Sequence, residues 1–355
     1  MRGRFHAGKD KWPDLNQLIR ERRLGILALQ ESHLPDDDCI LLNERYKNSL
    51  LITHSSDPCN VTNNGISIVF NKLLVNTDSI ETTVLIPGRA LCARLKWHNS
   101  RTLTILAVYA PSSGGTDNEE FWVSLQNKLT APAFNLGKPD IMLGDFNVVE
   151  DSLDRLPPHA DRNPSVAALR NLKTTLTMGD GWREAYPDIN AFTFFQTARQ
   201  GGRKSRIDRI YLNTSMIPFA RDWDINSSGI DTDHKLVTAR ISAKDLPFIG
   251  RGRWTMPIFL VEDAHILKTI KGRGKRLQNE LTEGERADRT NTNNPQLAFK
   301  RFKDDIIKMV RDAAKKRVPA LERKALALKG KIHETMNDPL SNEEEKRLVT
   351  SVLQD

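Results

Sequence analysis

The chain has 355 residues, of which 39% are hydrophobic and 28% charged, the make-up of a soluble globular protein with ample length for a core; no apolar run approaches a membrane span. Its three cysteines, Cys39, Cys59 and Cys92, form no CxxC pair and leave one over in any disulfide scheme, which argues against a zinc site and for reduced thiols in an intracellular chain, cytoplasmic or nuclear. The formal net charge of +8 is unevenly placed: Lys and Arg outnumber Asp and Glu by 23 to 16 from Gly250 onward, against 30 to 29 before it. A neutral body with a basic appendage suits an acidic partner such as nucleic acid, or a solvated helical linker.

In chain order, DLNQLIRERRL over 14–24 spaces Leu15, Leu18 and Ile19 as a helix, and Gly25 to Leu29 reads as a strand. Further strands are expected at Gly65–Asn71, Ala90–Trp97, Thr102–Tyr109, Ile141–Leu143, Ser205–Leu212 and Leu236–Ile241. Helices are expected near Glu119–Leu129 and near Pro164–Thr177, the second with Pro in its first turn. Many strands with few helices predict a layered α/β sandwich over residues 1–248. From 249 to 355 the character becomes helical. Phe299, Phe302, Ile306, Met309 and Ala313 share one helix face, Leu321, Ala325, Leu328 and Ile332 another, and Ser341 with Glu344 resembles a capping box. The polar stretch Glu283–Asn294 is expected to be a loop.

The stretch IMLGDFN (141–147) carries chemistry at a strand end. In an extended chain Asp145 and Asn147 point the same way while Phe146 turns to the core; a plain turn is the bland alternative. The pattern repeats. Glu31 follows the first strand, Tyr109 ends another, Asp208 lies in RIDRI, and Asp233 and His234 precede the last. Carboxylates gathered at one edge need positive charge among them, and a hard cation such as Mg²⁺ is the natural candidate. A phosphodiester beside it is open to attack by water, with a carboxylate or His managing protons.

LQES (29–32), VYAP (108–111), GDFN (144–147), SRID (205–208) and TDH (232–234) resemble, in order and spacing, the motifs of the endonuclease/exonuclease/phosphatase superfamily. The resemblance implies a four-layered α/β sandwich with its site at one end of two packed sheets, and a Mg²⁺ or Mn²⁺ cofactor. It assigns Glu31 and Asp233 to the metal, Asp145 to the attacking water, and Asn147, His234 and Tyr109 to the phosphate, with Asp208 fixing the tautomer of His234. Arg203, Lys204, Arg206 and Arg209 become candidate contacts to DNA phosphates. The flanks DKWP (10–13), DGWREAYP (180–187), FTFF (192–195) and GRGRW (250–254) look like the endonuclease region of a non-LTR retrotransposon polyprotein, in which a helical connector leads to a reverse transcriptase. That family's first strand ends in an Asn of the metal site and falls just upstream of Arg2, so the expectation is an N-terminally truncated chain lacking both.

Three functions follow as expectations: a Mg²⁺-dependent endonuclease that nicks DNA, a metal-dependent phosphatase on a small substrate, or an inactive or domesticated fragment that binds nucleic acid.

Overall fold

The structure, a computed structural model, describes residues 4–6, 9–58, 64–112, 116–196, 202–230, 232–243, 254–284, 290, 294–338 and 341–352. Cys59, Gly201, residues 250–253 and most of the polar stretch 283–294 lie outside them. The chain divides into two compact units, Met1–Phe248 with His333–Asp355, and Ile249–Ile332.

The first unit opens with a two-residue ladder of β1 (Phe5–His6) and β2 (Lys9–Asp10). Helix α1 (Trp12–Arg22) follows, with Pro13 and Asp14 in its first turn, Arg20 and Arg22 in its last and a left-handed Arg23 as C-cap. Its apolar stripe, Trp12, Leu15 and Ile19, packs with Leu42 of α2 (Asp36–Arg45). Both helices cover one face of a three-stranded antiparallel sheet of β3 (Ile26–Gln30), β4 (Leu50–Ser55) and β5 (Ile66–Asn71), in the order β3-β5-β4.

The second sheet takes β6 (Glu81–Ile86), β7 (Ala90–Lys96), β8 (Thr102–Tyr109) and β9 (Ile141–Asp145), and later β11 (Met178–Asp180) and β14 (Asp208–Asn213). Its order is β11-β14-β9-β8-β7-β6. Only the β8–β9 pair is parallel among its described strands, and its crossover carries α3 (Asp117–Thr130). Alternation along β8 builds both cores: Leu103, Ile105, Ala107 and Tyr109 meet Ile66, Ile68 and Phe70 of the first sheet. Leu106 and Val108 face the other way, onto Trp122 of α3 and Leu169 and Leu172 of α4 (Asn163–Leu176). Helix, sheet, sheet, helix gives the four layers of an α/β sandwich.

The remaining parts of this unit are short. Strand β10 (Arg155–Leu156), β12 (Phe194–Phe195) and β13 (Lys204–Ser205) form a small sheet in the order β10-β13-β12, α5 (Gly181–Ala185) follows β11, and β15 (Ala220–Asn226) pairs with β16 (Leu236–Ile241). In the second unit α6 (Ile258–Val261), α7 (Ala264–Gly284) and the part of α8 (Pro295–Asn337) up to Ile332 enclose a small core of Leu260, Ile266, Val310 and Ala314. Ile306, Met309 and Ala313 lie against it, whereas Phe299 is half exposed. The last helix, α9 (Glu343–Val352), is capped by Asn342, whose Oδ1 accepts from the Glu345 N–H at 2.8 Å; Ser341 instead donates to Asp338.

Helix α2 and strands β4, β6 and β15 were not expected from sequence. Among its ten residues α2 buries only Cys39 and Leu42, too thin a stripe to show as periodicity. The strand expected over 205–212 is interrupted at Arg206 and Ile207, where Arg206 turns inward.

Candidate active site

Strand register sets the first row of the site. Tyr109 at the end of β8 lies opposite Asp145 at the end of β9, and Asp145 lies opposite Asp208 at the start of β14. Three strands thus deliver a phenol and two carboxylates side by side at one end of the sheet. The approach of β8 to β9 depends on Gly144, at φ +143, where a Cβ would stand 1.9 Å from the Val108 carbonyl oxygen.

Glu31 comes from the facing sheet, one residue past β3, and accepts a hydrogen bond from the Tyr109 hydroxyl at 2.8 Å. Burial, reinforced by the Glu31 carboxylate, holds that phenol protonated far above the usual tyrosine range. Beside it, the Arg89 guanidinium donates to the Tyr109 carbonyl at 3.2 Å and to Asn64 at 3.0 Å, and lies over the Tyr109 ring.

Asn147 reaches the site by a different route from the one strand alternation suggests. The strand ends at Asp145, and Asn147 adopts φ +48. Its N–H donates to Asp145 Oδ1 at 2.9 Å, and its amide to Asp145 Oδ2 at 3.2 Å and the Ala110 carbonyl at 2.9 Å. This is a turn closed by the aspartate side chain, with Phe146 fully buried as expected. Glu31, too, is left-handed, at φ +50. Two non-glycine residues are thus held in the left-handed region at one site.

The last component is a histidine–aspartate pair. His234 Nδ1 lies 2.8 Å from Asp208 Oδ2, and a β-bridge between Phe194 and His234 sets the histidine backbone, with the two rings 4.9 Å apart. Ligand atoms of Asp145, Asp208 and His234 lie within 4.8 Å of one another. Burial first, and the Asp208 carboxylate second, push the Asp145 carboxyl well above the carboxylate range. Burial alone would lower the His234 imidazole, but Asp208, with Asp145 and Asp233 behind it, holds it at about 9. The pair is therefore an imidazolium held by the Asp208 carboxylate at neutral pH. Asp233 is half-buried and its carbonyl accepts from the Phe195 N–H at 3.3 Å; its carboxylate is not in the group formed by the other three.

The four basic candidates divide. Arg203 is exposed. Lys204 is buried over the Phe195 ring, and burial together with Lys235 lowers its ammonium to about 8. Arg206 and Arg209, expected to meet DNA phosphates, are instead only 3% and 2% exposed and turn away from solvent, so neither presents its guanidinium to a DNA backbone. Arg206 clamps Asp154 through two bonds of 2.7 and 2.8 Å and reaches Asp180 at 2.7 Å. Arg209 bonds Asp154, the Val148 carbonyl and the Tyr211 hydroxyl, and Arg183 also pairs with Asp154. Asp154, which no motif singled out, is thus the acceptor for three arginines beneath β14. Its partners lie 29 to 55 residues away in sequence, so no local pattern announces it.

With this geometry in view, residues 6–234 match the model of the endonuclease/exonuclease/phosphatase family. The chain belongs to that family. It is 28% identical over 254 residues to the Transposon TX1 uncharacterized 149 kDa protein of Xenopus laevis, an alignment that covers 71% of this chain and 18% of that protein. Among solved structures it is similar to the 3′ phosphatase NExo from Neisseria bound to product DNA hairpin, at 20% identity over 66% of this chain and 95% of that one, with a TM-score of 0.53. It is also similar to the AP endonuclease LMAP of Leishmania major, at 16% identity over 63% and 81%, with a TM-score of 0.51. Family and fold together make the chain a nuclease- or phosphatase-type hydrolase, with sequence affinity to a transposon protein.

Proposed function

We propose that the chain is a divalent-metal-dependent phosphodiesterase that nicks DNA, acting within a longer retrotransposon polyprotein alongside a reverse transcriptase. The observation that supports it most is the convergence of Asp145, the His234–Asp208 pair and the Glu31–Tyr109 pair at one end of the sandwich.

The donor set fits a hard cation. Two carboxylates in one buried locus disfavour their own ionisation, and the raised Asp145 is the sign of that unmet demand. Glu31 and Asp145 are the oxygens that would hold Mg²⁺ or Mn²⁺, with Asp233 behind His234, since Asp208 is committed to the imidazole. Bound there, the ion would neutralise charge developing on the phosphate.

The residues divide the chemistry. Asp145, once a bound cation offsets the burial that raises its carboxyl, would be ionised and would accept a proton from the attacking water as the water oxygen bonds to phosphorus. The P–O bond to the leaving sugar breaks, and that oxygen takes a proton from solvent. The His234 imidazolium, fixed by Asp208, stabilises negative charge on a non-bridging oxygen; Asn147 and Tyr109 lie beside the same locus as hydrogen-bond donors. Arg203 and the basic residues beyond Gly250 supply phosphate contacts without sequence preference.

Supercoiled-plasmid nicking tests the reading: relaxed circles should form with Mg²⁺ and not with EDTA or in His234→Ala. Release of a 3′ phosphate from an oligonucleotide, without nicking, would favour the phosphatase reading that the family also accommodates.

A further inference from the structure

Thr193 is fully buried and has none of the roles above. Its Oγ1 accepts from two successive backbone N–H groups, Ile207 at 3.1 Å and Asp208 at 3.0 Å, while lying 3.4 Å from the Ser205 carbonyl to which it donates. Its own N–H donates to that same carbonyl at 2.9 Å, and its carbonyl accepts from the Lys235 N–H at 2.7 Å. One residue thus binds the chain on both sides of the histidine–aspartate pair: residues 205 to 208 through its hydroxyl and amide, and residue 235 through its carbonyl. The two following residues continue the link, Phe194 by its bridge to His234 and Phe195 by its bond to the Asp233 carbonyl.

The two N–H groups explain why a hydroxyl is needed. Ile207 falls in the break between β13 and β14 and Asp208 is the first residue of β14, and a buried N–H requires an acceptor. A valine of the same shape fills the space but offers none, so the backbone of Asp208 must move to find one. The His234–Asp208 bond joins residues 26 apart in sequence, so it lengthens with any such movement.

We infer that Thr193 is a positioning residue of the active site: its hydroxyl sets the backbone of Asp208, its carbonyl sets that of the segment bearing His234, and together they fix the separation of the pair. This rests on the nuclease reading above, and the test separates the two. In steady-state plasmid nicking by the full chain with Mg²⁺, Thr193→Val should lower kcat on the order of 10²-fold, the cost of ångström-scale misplacement, with KM unchanged. Thr193→Ser, which keeps the hydroxyl, should recover most of kcat. Equal kcat in Thr193→Val and wild type, per folded molecule counted by thermal melting, overturns the inference, as does a loss carried by KM. Should Thr193→Val not fold, Thr193→Cys replaces it: reduced kcat at unchanged KM supports the inference and wild-type kcat overturns it. A wild-type chain that does not nick refutes the nuclease reading alone. The inference is then decided by crystal structures, where the His234–Asp208 distance should lengthen in the valine or cysteine variant and an unchanged distance refutes it.

Discussion

His234 Nδ1 and Asp208 Oδ2 stand 2.8 Å apart, with Asp145 directly across the ladder from Asp208, so a single hydrogen bond joins the two strand ends that carry opposite charges of the site. Removing either partner should remove function before it removes the fold. His234→Ala and Asp208→Asn are each expected to lower plasmid nicking by roughly 10² to 10⁴-fold, the usual range for a proton-handling group, with a far-ultraviolet circular dichroism spectrum like that of the parent chain. Near-parental nicking in either variant would refute the assignment.

The same bond makes stability depend on pH in a defined direction. A histidine whose folded pKa lies above its unfolded value of about 6.5 stabilises fully below that pH. The contribution is lost as pH rises through the folded value of about 9. In EDTA, urea unfolding should find the chain more stable than His234→Ala at pH 6, and the gap should narrow by on the order of 3 kcal/mol toward pH 10. Asp145, raised as well, pulls in the same direction and leaves His234→Ala with a residual slope. Parallel curves would contradict the ion pair.

Metal binding should register without any substrate. Mg²⁺ at saturating concentration should raise the melting temperature of the parent chain by several degrees, since a ligand held only by the folded state stabilises it by mass action. Glu31→Gln removes one carboxylate oxygen from the donor set and should shrink that rise; an identical response in the variant would take Glu31 out of the metal site.

Asp154 offers a test unconnected with catalysis. Replacing it by Ala leaves Arg206 with Asp180 and Arg209 with no carboxylate in direct contact among the described residues, and a buried ion pair broken on one side costs about 3–5 kcal/mol. Urea unfolding should show the loss. A variant within about 1 kcal/mol of the parent would mean that water replaces the carboxylate.

Gly144→Ala should fail in a different way. Its Cβ would overlap the Val108 carbonyl oxygen, and backbone cannot yield as a flexible side chain can, so the parallel β8–β9 pair should separate. Little or no soluble folded protein is expected on expression, and a folded Gly144→Ala chain with parental nicking would show that the strands can slide apart without disturbing Asp145.

Much of this architecture is visible in the linear text, and the reasons differ by element. Strands β8 and β9 are largely apolar and buried on both faces, which is how strands between two layers read. Asp145, Asp208 and His234 stand out through the order of their motifs rather than through local spacing, because strands far apart in sequence supply them. Two things were out of reach. Arg206 and Arg209 stand three apart, which in an unbroken strand would put them on opposite faces, so they look like surface cations until the break at 206–207 and their shared partner Asp154 are seen. A residue such as Thr193 has no signature at all, since its meaning lies in which backbone amides meet its hydroxyl.

Glu31 and Asn147 also bear on how the chain can change. Each occupies a backbone region that glycine enters freely. Exchange for glycine would ease the local conformation while deleting a carboxylate or an amide from the centre. At these two positions a relaxed backbone and a silent enzyme lie along the same substitution, so a screen for thermal robustness alone would be drawn toward inactive descendants.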